Sequence, residues 1–119
     1  MSRIALVAAG LVAALALAAP IGATSSVTKL TGTVGPGFTI TLKKGTAKVK
    51  TLKAGSYKIT VSDKSNIHNF HLKGPGVNKI ITATPFKGTK TVTVKLKKGT
   101  YKYVCDPHAS LMHGSFKVT

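Results

Sequence analysis

The stretch Tyr103-Val104-Cys105-Asp106-Pro107-His108-Ala109-Ser110-Leu111-Met112-His113-Gly114 holds a thiol, an imidazole and a thioether within eight residues. Pro107 and the Ala109-Ser110 pair make this a tight loop. Such a loop can fold back and aim Cys105, His108 and Met112 at one point. Soft sulfur together with imidazole is a ligand set suited to copper. A fourth donor must come from elsewhere, and His68 in Asn66-Ile67-His68-Asn69-Phe70-His71-Leu72 is the best placed. Zinc accepts the same N and S donors, so zinc in such a pocket would not identify the native metal.

Cys105 is the only cysteine in 119 residues, which removes any intramolecular disulfide. There are 18 Lys and Arg residues against two acids, a formal net charge of +16. The acids are Asp63 and Asp106, and there is no glutamate. Paired-carboxylate catalysis is therefore nearly excluded, and an oxygen-ligand two-metal site lacks donors. The chain is 43% hydrophobic, with its β-branched residues in periodic runs, unlike a disordered polyelectrolyte.

The elements that must position these donors are strands. Phe38, Ile40 and Leu42 alternate with threonines. Tyr57, Ile59 and Val61 alternate with Lys58, Thr60 and Ser62, and Val92, Val94 and Leu96 with Thr91, Thr93 and Lys95. Phe116 and Val118 close the series. This period of two predicts half-buried strands of the antiparallel kind. Gly and Pro turns separate them, among them Gly35-Pro36-Gly37, Gly74-Pro75-Gly76 and Lys98-Gly99. Seven or eight short strands in under 100 residues predict an all-β sandwich or small barrel. Leu52-Lys53-Ala54-Gly55-Ser56-Tyr57-Lys58 echoes Leu96-Lys97-Lys98-Gly99-Thr100-Tyr101-Lys102, two equivalent hairpin starts with an inward Tyr. On the His68 segment the alternation puts His68, Phe70 and Leu72 on one face and His71 on the other, at the surface. His113 points away from Met112 and is expected exposed.

Met1 to Ala23 reads as a signal peptide: Arg3, an apolar run from Ile4 to Ala19, then Pro20 and small residues. The run is shorter than the roughly 20 residues a spanning helix needs. Cleavage is expected between Ala18 and Ala23, leaving residues 24–119 as one domain with no transmembrane span. The destination is the periplasm, or the cell surface and beyond. A free thiol there needs burial, a partner chain or a metal.

Ile67-His68-Asn69-Phe70, followed downstream by Cys105-x2-His108-x3-Met112-x-Gly114, resembles the cupredoxins, in particular their plastocyanin and amicyanin-like branch. The resemblance runs from Thr33 to Thr119. It implies a Greek-key β-sandwich of about eight strands. It also implies one type 1 copper held by His68, Cys105 and His108, with Met112 as a long, weak axial ligand. Asn69 matches the Asn that ties the two ligand loops together by hydrogen bonding. The loop from His108 to Met112 is one residue shorter than in plastocyanin-type loops and one longer than in amicyanin-type ones, which bears on the axial bond most. The implied function is one-electron transfer, not enzyme catalysis. His108 would be the electron port, surrounded by Pro107, Ala109 and Leu111.

Two other readings stand beside it. One is an extracytoplasmic copper carrier or store with no electron traffic. The other is a metal-free basic sandwich that binds anionic surfaces. The lysines fall on polar strand faces and turns, where they solvate and protect the sheets; they would also steer a transient acidic redox partner. Nucleic acid is disfavoured, since Arg3 is the only arginine and no aromatic stacking motif is present. A monomer is expected.

Overall fold

The computed structural model describes residues 26–119; the predicted signal peptide, Met1 to Ala23, lies outside the described residues. Ten strands form two sheets. The first sheet contains β1 (Thr28–Val34), β2 (Ile40–Lys44), β3 (Ala47–Lys48), β5 (Gly55–Asp63) and β8 (Gly88–Leu96). The second contains β4 (Thr51–Leu52), β6 (Phe70–Gly74), β7 (Val77–Thr82), β9 (Gly99–Val104) and β10 (His113–Val118). Their spatial orders are β3-β2-β1-β5-β8 and β4-β10-β9-β6-β7. The expected sandwich is present. Two strands beyond the expected eight are the two-residue β3 and β4. Among the described residues no helix is long and apolar enough to cross a membrane.

Not every pairing is antiparallel. β1 runs parallel to β5, and β10 parallel to β4. Alternation fixes which face of a strand is buried but is silent on the direction of its neighbour, because both ladders share the period of two.

The sheets pack face to face through their inward positions. Leu30, Leu42, Ile59, Val61 and Leu96 come from the first sheet, and Phe70, Leu72, Tyr101, Tyr103 and Phe116 from the second; all are buried. The rings of Phe70 and Tyr103 stack at 5.6 Å and those of Tyr101 and Phe116 at 5.3 Å. Such offset pairs add to the area they bury. Cys105 and Met112 belong to the same buried cluster. The sulfur atoms therefore sit where the core ends, not in a separate cavity.

The sequence echo has a structural meaning. The Tyr57 hydroxyl donates to the Lys53 carbonyl at 2.6 Å. The Tyr101 hydroxyl donates to the Lys97 carbonyl at 2.9 Å and accepts from the Lys97 amide at 3.0 Å. Each reaches four residues back over a glycine turn, a tyrosine corner made twice. Gly99 in the second has φ +148°, and a Cβ there would meet Pro75 at 2.4 Å, so only glycine fits. The second corner launches β9, which ends at Val104, directly before Cys105.

Candidate metal centre

Three connections meet at one end of the sandwich. The first joins β1 to β2 and carries Phe38. The second joins β5 to β6 and carries His68 and Asn69. The third joins β9 to β10 and runs from Cys105 to Met112. The third is rigid by its own hydrogen bonds. The Cys105 amide donates to the Met112 carbonyl at 3.0 Å, closing the loop. The His108 amide donates to the Cys105 carbonyl at 3.0 Å across a single 3-10 turn, Asp106–His108. The Leu111 and Met112 amides both return to the His108 carbonyl. Pro107 at the start of that turn has no amide to satisfy, which suits the position.

The loop faces His68 across the end of the core. Cys105 Sγ lies 3.6 Å from His68 Nδ1 and 3.6 Å from His108 Nδ1, and the two nitrogens are 3.1 Å apart. Cys105 and His68 are fully buried, and His108 is half-buried. Three lone-pair donors aimed at one another in a dry pocket repel unless a proton or cation lies between them. A triangle of these sides has its corners about 2.0 Å from a common centre, about the length of a metal–nitrogen bond. The donor set thus fits a single soft or borderline ion. His68 Nε2, on the far side of the ring, is buried with no protein partner.

Met112 is fully buried beside this cluster, at the end of the same loop. Two residues on, the geometry explains Gly114. A Cβ at that position would lie 2.3 Å from the Tyr103 ring. The Tyr103 ring therefore leaves no room for a side chain at that position.

Asn69 hydrogen-bonds across the two loops. Its Nδ2 donates to Asp106 Oδ2 at 2.8 Å, and its Oδ1 accepts from the Asp106 amide at 2.7 Å. Asp106 also receives His71 Nδ1 at 2.8 Å, and the Lys73 amine stands 4.0 Å away. The other nitrogen of His71 bonds Asn78 Oδ1. Burial pushes the Asp106 carboxyl up, but the Asn69 and His71 hydrogen bonds, with the charges of His71 and Lys73, outweigh it. The group is held below its ordinary value.

The structure brings His68, Cys105, His108, Met112 and Asn69 to this end, together with three neighbours that no local pattern marks. By its alternation with the threonines, Phe38 is expected as the inward start of a strand. It stands outside β2, 54% exposed, with its ring edge-on to His108 at 4.9 Å and to His68 at 5.4 Å. The Gly35-Pro36-Gly37 turn, closed by the Gly35 amide on the Thr39 carbonyl, carries it out of the sheet. His71 does face away from Phe70 and Leu72, but its side chain is only 12% exposed, because Asp106 folds over it. Asp106 carries no pattern of its own in the sequence beyond its place beside Cys105. His113 is exposed, bonded to the Ala109 carbonyl at 2.8 Å.

The sandwich with sulfur and imidazole converging at one end defines a copper-binding β-protein. Residues 38–119 match the copper binding proteins of the plastocyanin/azurin family, and the chain belongs to that family. Amicyanin-alpha of Methylorubrum extorquens is 39% identical over 59 residues, 48% of this chain and 50% of that relative, so the match spans half the relative's length. The fold is similar to reduced rusticyanin, with TM-score 0.57 and 24% identity, covering 81% of each chain. It is also similar to auracyanin A, a "blue" copper protein from Chloroflexus aurantiacus. There the TM-score is 0.56 and the identity 21%, covering 79% of this chain and all of that one.

Proposed function

We propose that the chain is a type 1 copper protein that carries single electrons and is not an enzyme. The carrying observation is the convergence of His68 Nδ1, Cys105 Sγ and His108 Nδ1 within 3.6 Å of one another at the buried end of the core. These three atoms would hold the ion, and Met112, buried at the end of the same loop, would supply a weaker fourth sulfur. Copper bound there supplies one-electron chemistry between Cu(II) and Cu(I), with the Cys105 thiolate as its strongest donor.

The remaining work belongs to the chain. Loop hydrogen bonds and the Asn69–Asp106 pair hold the donors in place whatever their charge, which keeps reorganisation small. The fully buried Cys105, His68 and Met112 exclude water. His108 is the donor nearest solvent, ringed by the exposed apolar side chains of Phe38 and Leu111 and, beside His68, Ile67. A small apolar patch suits brief contact with a redox partner. The lysines beyond it favour an acidic partner and make its approach salt-dependent. The first 23 residues would export the chain to the periplasm or beyond, where it acts as a monomer.

Voltammetry of the copper-loaded chain tests this reading. The expected result is a reversible one-electron wave with fast electrode exchange. Replacing Phe38 by Ala should keep the wave but change the exchange rate at an apolar electrode. Copper that binds tightly yet shows no reversible wave would refute electron transfer and leave a storage role.

A further inference from the structure

We propose that the outer face of the first sheet docks on the anionic headgroups of a lipid bilayer. The inference does not depend on the metal. Alternation sends Leu30, Leu42 and Ile59 into the core, and so sends Lys29, Lys43 and Lys58 outward, where all three are exposed. Register then aligns charges of one sign. Lys29 and Lys58 are direct partners across β1 and β5. Lys43 and Lys48 are direct partners across β2 and β3. Lys95 adds a fifth exposed amine on β8.

Like charges directly opposite on a sheet are destabilising, and nothing on this face relieves them. Asp63 is buried, and Asp106 sits in the metal loop with Asn69, His71 and Lys73. Among the described residues, Lys73 is the only lysine with a carboxylate within 4.0 Å. The rest of the face is hydroxyl. Thr31, Thr60 and Thr91 form one row across β1, β5 and β8, the last two bonded at 3.0 Å. Ammonium and hydroxyl donors together match phosphate oxygens. Lysine makes no bidentate fork, so no single phosphate geometry is selected.

A protein partner fits this face poorly. Specific protein interfaces are anchored by aromatic and apolar side chains. Of the exposed large apolar residues, Phe38, Ile67 and Leu111 lie at the metal end, Ile80 lies on the second sheet, and Val27 precedes β1. The first sheet's outer face has charge without an anchor. That combination suits a laterally mobile anion array. Docked this way, the chain keeps its His108 end at the side, open to a partner on the same surface.

The test is co-sedimentation of the exported form, residues 24–119 without the apolar signal segment, with vesicles of phosphatidylglycerol in phosphatidylcholine, and with phosphatidylcholine alone. Each lysine at an anionic surface contributes roughly fivefold to partitioning. Lys29→Gln with Lys58→Gln should therefore lower binding about 25-fold, as should Lys43→Gln with Lys48→Gln. Lys102→Gln with Lys117→Gln, the same charge change on the second sheet, should lower it less than about threefold. Binding should weaken steeply with salt and be absent from phosphatidylcholine alone. The first two variants remove like-charge pairs, so their Tm should hold or rise. Equal losses from all three variants would overturn the proposal in favour of net charge alone. So would equal binding to neutral vesicles, a fall in Tm, or retention on immobilised polyglutamate with no vesicle binding.

Discussion

Asn69→Ala removes the two bonds that Asn69 makes between the His68 connection and the Cys105 loop. One, from Nδ2 to the Asp106 carboxylate at 2.8 Å, is charge-assisted; the other, from the Asp106 amide at 2.7 Å, is neutral. Bonds of these kinds contribute about 1.5–3 and about 0.5–1.5 kcal/mol. The Asp106 side chain is 41% exposed, so water replaces part of what is lost and the low end applies, about 2 kcal/mol in all. For a domain of this size that lowers Tm by about 8–16 °C. Amide exchange should rise most at the amides of His108, Leu111 and Met112. Asn69→Asp sharpens the test. It keeps the acceptor for the Asp106 amide but sets a second carboxylate against Asp106. At neutral pH it should cost more than Asn69→Ala. Its deficit should shrink as acid protonates the introduced carboxyl and restores a donor. The assay is thermal unfolding of the metal-free chain from pH 7 to pH 3. If Asn69→Ala melts with the wild type, or Asn69→Asp shows no added pH dependence, the loops are held by something else.

Other outcomes follow from the same contacts. Tyr101→Phe should lower the urea midpoint more than Tyr57→Phe, because the Tyr101 hydroxyl contacts the Lys97 amide and carbonyl and lies 3.1 Å from the Pro75 carbonyl, whereas Tyr57 makes one bond. Gly114→Ala puts a methyl 2.3 Å from the Tyr103 ring and should cost about 1–3 kcal/mol by overpacking, read from the same denaturation curve. Asp106 is held below its ordinary value of 3.8, so its contribution to stability is present above that pH and lost as pH falls through the lower folded value. The gap between wild type and Asp106→Asn should therefore narrow as pH falls below 3.8; a gap that does not narrow in acid would contradict this assignment.

The parts of this molecule that a sequence shows are those with local signatures. Alternation marks the buried faces of β5 and β8 because each strand has one wet and one dry side. The Leu-Lys-x-Gly-x-Tyr-Lys echo marks two corners because the hydroxyl reaches only four residues. Cys105, His108 and Met112 are legible as a group because one short loop carries them. What stayed hidden depends on how separate connections fold over one another. Phe38 has the parity of an inward residue, yet a glycine-rich turn takes it off the sheet and against both imidazoles. His71 has the parity of an exposed residue, yet the Asp106 turn covers it. Parallel neighbours are invisible for the same reason, since β1 meets β5 only through the tertiary fold.

The central claim is that Cys105 and the two imidazoles form one copper site of the type 1 kind. Titrating the metal-free chain with Cu(II) while recording the visible spectrum tests it most directly. The expected result is an intense thiolate-to-copper band that saturates at one ion per chain, bleaches on reduction, returns on oxidation, and is lost in Cys105→Ser. A band that survives Cys105→Ser, or copper bound at one equivalent without any intense visible band, would contradict it.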